Sequence, residues 1–265
     1  MSQARFSVRT AVAEGFDFWR RNALKAVGPL AIAAAAAFAA TLLQGRLALI
    51  ALAVNFIALV MAQGALYRLA LEGAGAEPAD RNGPLGLQWR WLETRLAMVI
   101  ILLLLVLAIS ATVMVFFLVV ALLGIVGGEA AITAASPEAL MAGLSPMAVL
   151  AFNSGVLLAF LGLLVVIMRL AMAAPATAAT GRLQFLRTLP LTRGSVMRLM
   201  LAVLLVNLPI FAVQGLAWGY IRITGEQGFA PWADGVTAAL TPAFFIPIAI
   251  GMTSYIYLRL RGDHG

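Results

Sequence analysis

The sequence has 265 residues, of which 63% are hydrophobic and 11% are charged. Soluble domains carry roughly 45–50% apolar and about 25% charged residues, so a soluble core of this size cannot hide the apolar residues of this chain. Cysteine is absent, which excludes disulfides and thiolate metal sites, and the net charge of +7 has to be tested against membrane topology before a nucleic-acid partner is considered.

The segment from Leu96 to Val126 decides the class of protein. It contains no charged residue, and Ser110 and Thr112 supply its only hydroxyl groups. As a helix it would be roughly 46 Å long, against about 30 Å of bilayer hydrocarbon. A helix that is apolar on every side and this long is typical of a transmembrane span, so the other apolar blocks are interpreted as its neighbours in lipid.

In chain order, the apolar blocks predict an all-α polytopic membrane protein with six transmembrane helices in three hairpins. The predicted spans are residues 26–43, 47–71, 96–126, 147–174, 197–223 and 232–260. Each hairpin is preceded by an amphipathic segment that we expect to lie in the membrane interface: residues 1–25, 84–95 and 176–189. We therefore expect residues 1–265 to form a single integral membrane domain.

The amphipathic pattern of these segments is explicit in two of them. In the second segment, Arg90, Glu93 and Arg95 are predicted to lie on the polar side of a helix. In the first segment, the apolar stripe is predicted to consist of Val8, Val12, Phe16, Trp19 and Ala23.

The loop after the third span contains a separate helix signal. Ser136 and Pro137 indicate the start of a short helix there.

The basic residues lie almost entirely on one side of the membrane in this predicted topology. Of the 18 Lys and Arg residues, only Arg46 and Arg222 fall outside if the N-terminus is cytoplasmic. The positive-inside rule therefore predicts that both termini are cytoplasmic and explains the basic charge without nucleic acid. We expect a multi-pass protein of a bacterial inner membrane whose inner face attracts anionic lipid headgroups.

Each predicted hairpin closes at an arginine near the inner membrane surface: Arg68, Arg169 and Arg259. At this depth a guanidinium can bind a lipid phosphate through two hydrogen bonds, so these three residues are predicted anionic-lipid contacts. The repeated pattern is compatible with a threefold duplication of a hairpin. It is equally compatible with independent arginines that extend to the interface and only set topology.

Polar residues inside the spans predict either packing or a path for a solute. Asn207 and Gln214 lie seven residues apart in the fifth span and hence nearly on one helical face. Hydrogen bonding between helices and the lining of a solute path both remain open for them. Gly215 and Gly219 form a GxxxG motif that favours close packing with another helix, within the bundle, in a second copy or in a membrane complex.

Helix-breaking residues add a second sign of a transport path. Pro209 is expected to interrupt the fifth span, and Pro242 and Pro247 the sixth. Broken helices often form substrate sites in transporters, although packed kinks also occur in membrane proteins that transport nothing.

The sequence predicts neither an enzyme nor a metal or cofactor site. His264 is the only histidine, and it has no second histidine or cysteine with which to form a metal site or a nucleophile–base pair. Gly73 and Gly75 are followed by Pro78 in a charged loop, which is typical of a linker and not of a phosphate-binding loop.

Several motifs resemble those of a known family. The segment from Met168 to Pro175 (MRLAMAAP), the later LTRG sequence at Leu191–Gly194 and the N-terminal Trp-Arg-Arg segment are the residues concerned. Together they resemble six-helix bacterial inner-membrane proteins related to the membrane domain of glycerophosphodiester phosphodiesterases. The resemblance implies an integral membrane domain without catalytic residues of its own, because the soluble phosphodiesterase barrel has no counterpart in this sequence.

Two classes of function follow from these patterns. The first is a non-enzymatic membrane protein that organises lipids or other membrane components at its cytoplasmic face, which the basic inner surface favours. The second is a transporter or channel for a small solute or a lipid, which the proline-containing fifth and sixth spans favour.

Overall fold

Six helical segments in the computed structural model are long and apolar enough to cross a membrane. The structure describes residues 6–74, 76, 82–126 and 145–262, and these residues contain no strand. The predicted all-α class and the six candidate spans are thereby confirmed. The short helix predicted at Ser136 and Pro137 lies outside the described residues.

The described residues form nine α-helices. Short 3-10 turns occur at Ala23–Ala26, Pro84–Gly86, Leu186–Thr188 and Gln227–Phe229, and a π-helical turn at Thr241–Phe245 precedes the last helix. The α-helices are α1 (Val8–Asn22), α2 (Val27–Leu42), α3 (Gly45–Ala70), α4 (Trp91–Val126), α5 (Pro146–Leu170), α6 (Ala173–Thr180), α7 (Val196–Thr224), α8 (Ala230–Leu240) and α9 (Ile246–Gly262).

Most helix boundaries lie within two residues of the predicted spans, but the prolines act differently from expectation. Pro209 was expected to interrupt the fifth span, yet α7 continues through it. The fourth span was predicted to extend to residue 174, yet α5 ends at Leu170, and Pro175 lies in the first turn of α6. The first turn tolerates proline because its N–H groups have no partner within the helix. In the sixth span the π-helical turn contains Pro242.

The predicted amphipathic segments are only partly helical. Residues 84–95 begin with a 3-10 turn and become α-helical only at Trp91, and residues 176–189 begin inside α6. Ala176, Thr177, Ala178 and Ala179 are buried, because their small side chains let α6 pack against α3 and α9. The placement of the three segments in a membrane interface remains a prediction.

The first helix packs against the last described one. Gly15 and Gly251 bring the backbones together: a Cβ atom added to Gly15 would lie 2.7 Å from the carbonyl oxygen of Ile248, and one added to Gly251 would lie 2.5 Å from the Cβ atom of Phe18. Consequently α1 buries Ala11, Gly15 and Phe18, whereas the predicted stripe through Val8, Val12, Phe16, Trp19 and Ala23 is only half-buried.

Packing divides the chain into two compact units. The first unit comprises the described residues up to Ile100 and those from Arg169 onward, and the second comprises the described residues between Ile101 and Met168. In the first unit α2 packs against α3 and α8, and α9 packs against α1 and α3. In the second unit the C-terminal part of α4 and most of α5 line a common groove. The predicted single domain over residues 1–265 remains a prediction.

Candidate functional site

A buried ion pair joins the end of α3 to the start of α4. The side chains of Arg68 and Glu93 are both fully buried. Nη1 of Arg68 lies 2.8 Å from Oε1 of Glu93, and Nη2 donates a hydrogen bond of 3.1 Å to Oε2. This two-point arrangement matches the fork of a guanidinium to the two oxygens of a carboxylate, and buried charges persist in proteins only when they are paired in this way.

The position of Glu93 in α4 explains why its carboxylate turns towards α3. Glu93 is the third residue of the helix, and its Oε2 accepts a 2.9 Å hydrogen bond from the backbone N–H of Arg90, the residue just before the helix. This is the reach-back half of a capping box. The negative charge also lies close to the positive end of the helix dipole, which is an attractive interaction.

A glycine in α3 makes room for the carboxylate. A Cβ atom added to Gly64 would lie 2.8 Å from Cδ and 3.0 Å from Cγ of Glu93, closer than real Cβ atoms normally approach other side chains. Gly64 precedes Arg68 by one helical turn, so the two residues lie on the same side of α3. The sequence of α3 thus supplies both the space for Glu93 and the cation that pairs with it.

The connector before α4 extends this polar cluster. Nε2 of Gln88 donates to Oδ1 of Asn82 at 3.1 Å, and Oε1 of Gln88 accepts from the backbone N–H of Gly83 at 3.2 Å. Nδ2 of Asn82 donates to the carbonyl oxygen of Ala65 at 3.4 Å, and the same amide's Oδ1 accepts from Nη1 of Arg68 at 3.4 Å. The cluster therefore fixes the connector to the last turns of α3.

This geometry changes the sequence interpretation of two residues. Glu93 was expected on the polar side of an interfacial helix, but it is fully buried because Arg68 and the space at Gly64 draw it inward. Arg68 was predicted to contact lipid, but its guanidinium is buried against Glu93. The sequence interpretation missed the pair because it began the third span at residue 96, whereas α4 begins at Trp91 and makes Glu93 its third residue, the position of a capping-box acid.

The other two hairpin-closing arginines have different surroundings. Arg169 is half-buried, and its Nη2 donates to the carbonyl oxygen of Leu189 at 3.4 Å. Arg259 is exposed, with its guanidinium carbon 5.4 Å from the ring centre of Tyr255, a cation–π distance. The three arginines are thus buried, half-buried and exposed in turn, so Arg259 is the most accessible of them to a lipid headgroup and Arg169 is partly accessible.

Contacts gather several predicted inner helix ends at one end of the first unit. Nη1 of Arg261, at the end of α9, donates to the carbonyl oxygen of Ala74, just after α3, at 3.2 Å. A Cβ atom added to Gly86, before α4, would lie 3.1 Å from the Cα atom of Ala26, just before α2. These ends were placed on one membrane face by charge alone, and their proximity agrees with that placement.

An exposed basic segment lies at the junction of α1 and α2. Arg20 and Arg21 in the last turn of α1 and Lys25 in the following 3-10 turn are all exposed. Leu24 stands beside Lys25 with 80% of its surface exposed. A protruding apolar side chain among three cations is typical of protein surfaces that contact an anionic membrane interface.

The predicted polar path shows local hydrogen bonding. Asn207 is half-buried, and its Nδ2 donates to the carbonyl oxygen of Val203, one turn earlier in α7, at 2.8 Å. Gln214 is also half-buried. Cβ atoms added to Gly215 and Gly219 would meet nothing within 4 Å, so the GxxxG motif does not pack against another part of the described chain.

The described part of the chain contains no group of three or more His, Asp or Glu residues that could hold a metal ion. Comparisons of the chain with protein-family models, with curated proteins and with solved structures produce no match. Inferences about function therefore depend on the geometry described above.

Proposed function

We propose that this chain is a non-enzymatic integral membrane protein that organises anionic lipids or other membrane components at its cytoplasmic face. The basic segment of Arg20, Arg21, Leu24 and Lys25 carries the proposal. Each cation near an anionic leaflet contributes about 1 kcal/mol of attraction, and an apolar side chain inserted beside the cations adds to the binding.

Further exposed cations support this assignment at the same predicted face, where Asp17 and Glu72 are the exposed acids within the described residues. Excess positive charge at one surface raises the local concentration of anionic headgroups. The exposed basic residues at this face, besides those of the basic segment, are Arg9, Arg90, Arg182, Arg187, Arg193, Arg259 and Arg261.

The cellular setting belongs to the same proposal. The bias of basic residues towards one side supports cytoplasmic termini, and the proposed setting is a bacterial inner membrane. The resemblance to the membrane domain of glycerophosphodiester phosphodiesterases is consistent with a lipid-associated role without catalysis. Among the arginines that close the hairpins, we assign lipid contact to Arg259 and Arg169, and a role in joining helices to Arg68.

Lipid retention tests the proposal directly. We expect the Arg20→Gln/Arg21→Gln/Lys25→Gln variant to retain less phosphatidylglycerol than the native protein in native mass spectrometry, because it loses three cations. The matched control is Arg46→Gln/Arg222→Gln, which removes the two exposed arginines of the opposite predicted face. Equal retention by the native protein and the first variant would contradict the proposal.

Transport of a small solute or lipid is the second candidate, and the π-helical turn at Thr241–Phe245 favours it. Such turns inside α-helices occur frequently at functional sites, and helices interrupted in the membrane often bind substrate. Because the chain has no native cysteine, Asn207→Cys and Gln214→Cys can be probed individually with a water-soluble thiol reagent. Labelling of both in intact membranes would support a water-filled path, and protection of both would exclude one along this face.

A further inference from the structure

A groove between two helices of the second unit lies apart from the basic segment. It runs between α4 and α5, has a volume of about 670 Å³ and is largely open. Among the described residues that line it, Ser110 is the one polar residue; the others are aliphatic, aromatic, thioether or glycine. Its volume falls in the range of about 300–1,000 Å³ typical of ligand sites.

The α5 wall of the groove is made of small residues that α4 does not cover. Gly155, Ala159 and Gly162 recur at helical spacing along this wall. In membrane proteins such residues usually let two helices pack closely. Here a Cβ atom added to Gly162 would meet nothing within 4 Å of the described residues, and one added to Gly155 would meet only a methyl carbon of Leu118 at 4.0 Å.

The depth of the groove determines what can fill it. Both helices belong to candidate membrane spans. At 1.5 Å per residue, Ile109 lies roughly 27 Å along α4 from Trp91, and Gly162 roughly 24 Å along α5 from Pro146. In a bilayer crossed by both helices, the groove would therefore face hydrocarbon and not water. An unfilled groove would forfeit the dispersion contacts of its lining, and an apolar lining offers nothing to hold ordered water.

We propose that this groove is a binding site for one acyl chain of a bilayer phospholipid. The chain runs along Gly155, Ala159 and Gly162 and contacts Met114 and Phe117 of α4. None of the described residues that line the groove is charged, so the headgroup stays at the membrane surface. The site is independent of the proposed function at the basic face, because it lies in the other unit and recognises hydrocarbon and not charge.

A groove-filling substitution tests the site. We expect the full chain, purified in mild detergent and supplied with phosphatidylcholine, to retain one lipid molecule in native mass spectrometry. Gly162→Phe should lose that lipid, because the new ring occupies the groove. The matched control is Gly215→Phe, at an exposed glycine of α7 whose Cβ atom would likewise meet nothing within 4 Å, and it should retain the lipid. Phosphatidylcholine carries no net charge, so its retention does not depend on the cations of the basic segment. Failure of the proposed function would therefore leave this result unchanged.

A second variant that fills the groove from the opposite wall distinguishes loss of the lipid site from misfolding of the first variant. Met114→Trp approaches from α4 and should also lose the lipid while keeping the native elution volume and helix content. Equal lipid retention by the native protein and Met114→Trp would overturn the proposal. A retained species with the mass of a fatty acid, or a dimer that the groove-filling variants convert to monomer, would overturn it as well, since the occupant would then be a free acid or a second copy.

Discussion

Removing either partner of the Arg68–Glu93 pair should cost far more stability than removing an exposed arginine. Arg68→Met leaves a buried carboxylate without its guanidinium, and the loss of one partner of a buried ion pair costs about 3–5 kcal/mol. Glu93→Gln leaves the guanidinium facing a neutral amide of the same size. Because the amide oxygen can still accept from the N–H of Arg90, this variant keeps the helix cap and isolates the contribution of charge.

The double variant Arg68→Met/Glu93→Gln separates pairing from packing. It contains no buried charge at this position, so we expect it to be more stable than the sum of the two single losses predicts. Arg259→Met is the matched control: Arg259 also closes a hairpin but is exposed over Tyr255, so its loss should cost about 0.5–1 kcal/mol.

The assay is reversible unfolding in mixed micelles, followed by the loss of helical circular dichroism as the denaturing detergent increases. Each variant yields a free energy of unfolding relative to the native protein. If Arg68→Met costs no more than Arg259→Met, or if the two single losses simply add in the double variant, then the buried pair does not stabilise the junction of α3 and α4 and the reasoning is refuted.

Three further predictions address topology and packing. Reporter fusions after Glu138 and after Gly265 should report opposite sides of the membrane, and activity on the same side would contradict the six-span topology. Leu104→Asp, in a 52% exposed position of α4, should cost about 2.5–3.5 kcal/mol in membrane insertion, measured as the inserted fraction in a translocon assay; unchanged insertion would mean that this face does not meet lipid. Gly251→Leu should separate α1 from α9 by colliding with Phe18, detected as faster proteolysis within α1, whereas unchanged proteolysis would contradict the close approach.

The positions of the spans were predictable because they follow from the length of each apolar block in the sequence. An uninterrupted apolar block long enough for the bilayer has few alternatives to a transmembrane helix, so the bounds of α2, α3 and α7 agree with the sequence within two residues. Proline effects were less predictable. Pro209 lies inside a continuous α7 because neighbouring side chains and local adjustments can satisfy the freed carbonyl group in a membrane helix.

The polar cluster was not predicted because it depends on contacts between distant residues. Nothing in the local pattern around Glu93 distinguishes a carboxylate that faces water from one that faces Arg68, and Gly64 becomes informative only when the two helices are adjacent. The buried face of α1 was misplaced for a related reason: Gly15 carries no side chain and counts as neither apolar nor polar, yet it lies where α1 closely approaches α9.

The packing of α1 against α9 has a consequence for biosynthesis. During translation α1 leaves the ribosome long before α9 exists, so the face of Gly15 and Phe18 emerges without its final partner. It must be covered by lipid, by the insertion machinery or by a chaperone until the last span is made. A polypeptide that ends before α9 would leave that face of α1 without its packing partner.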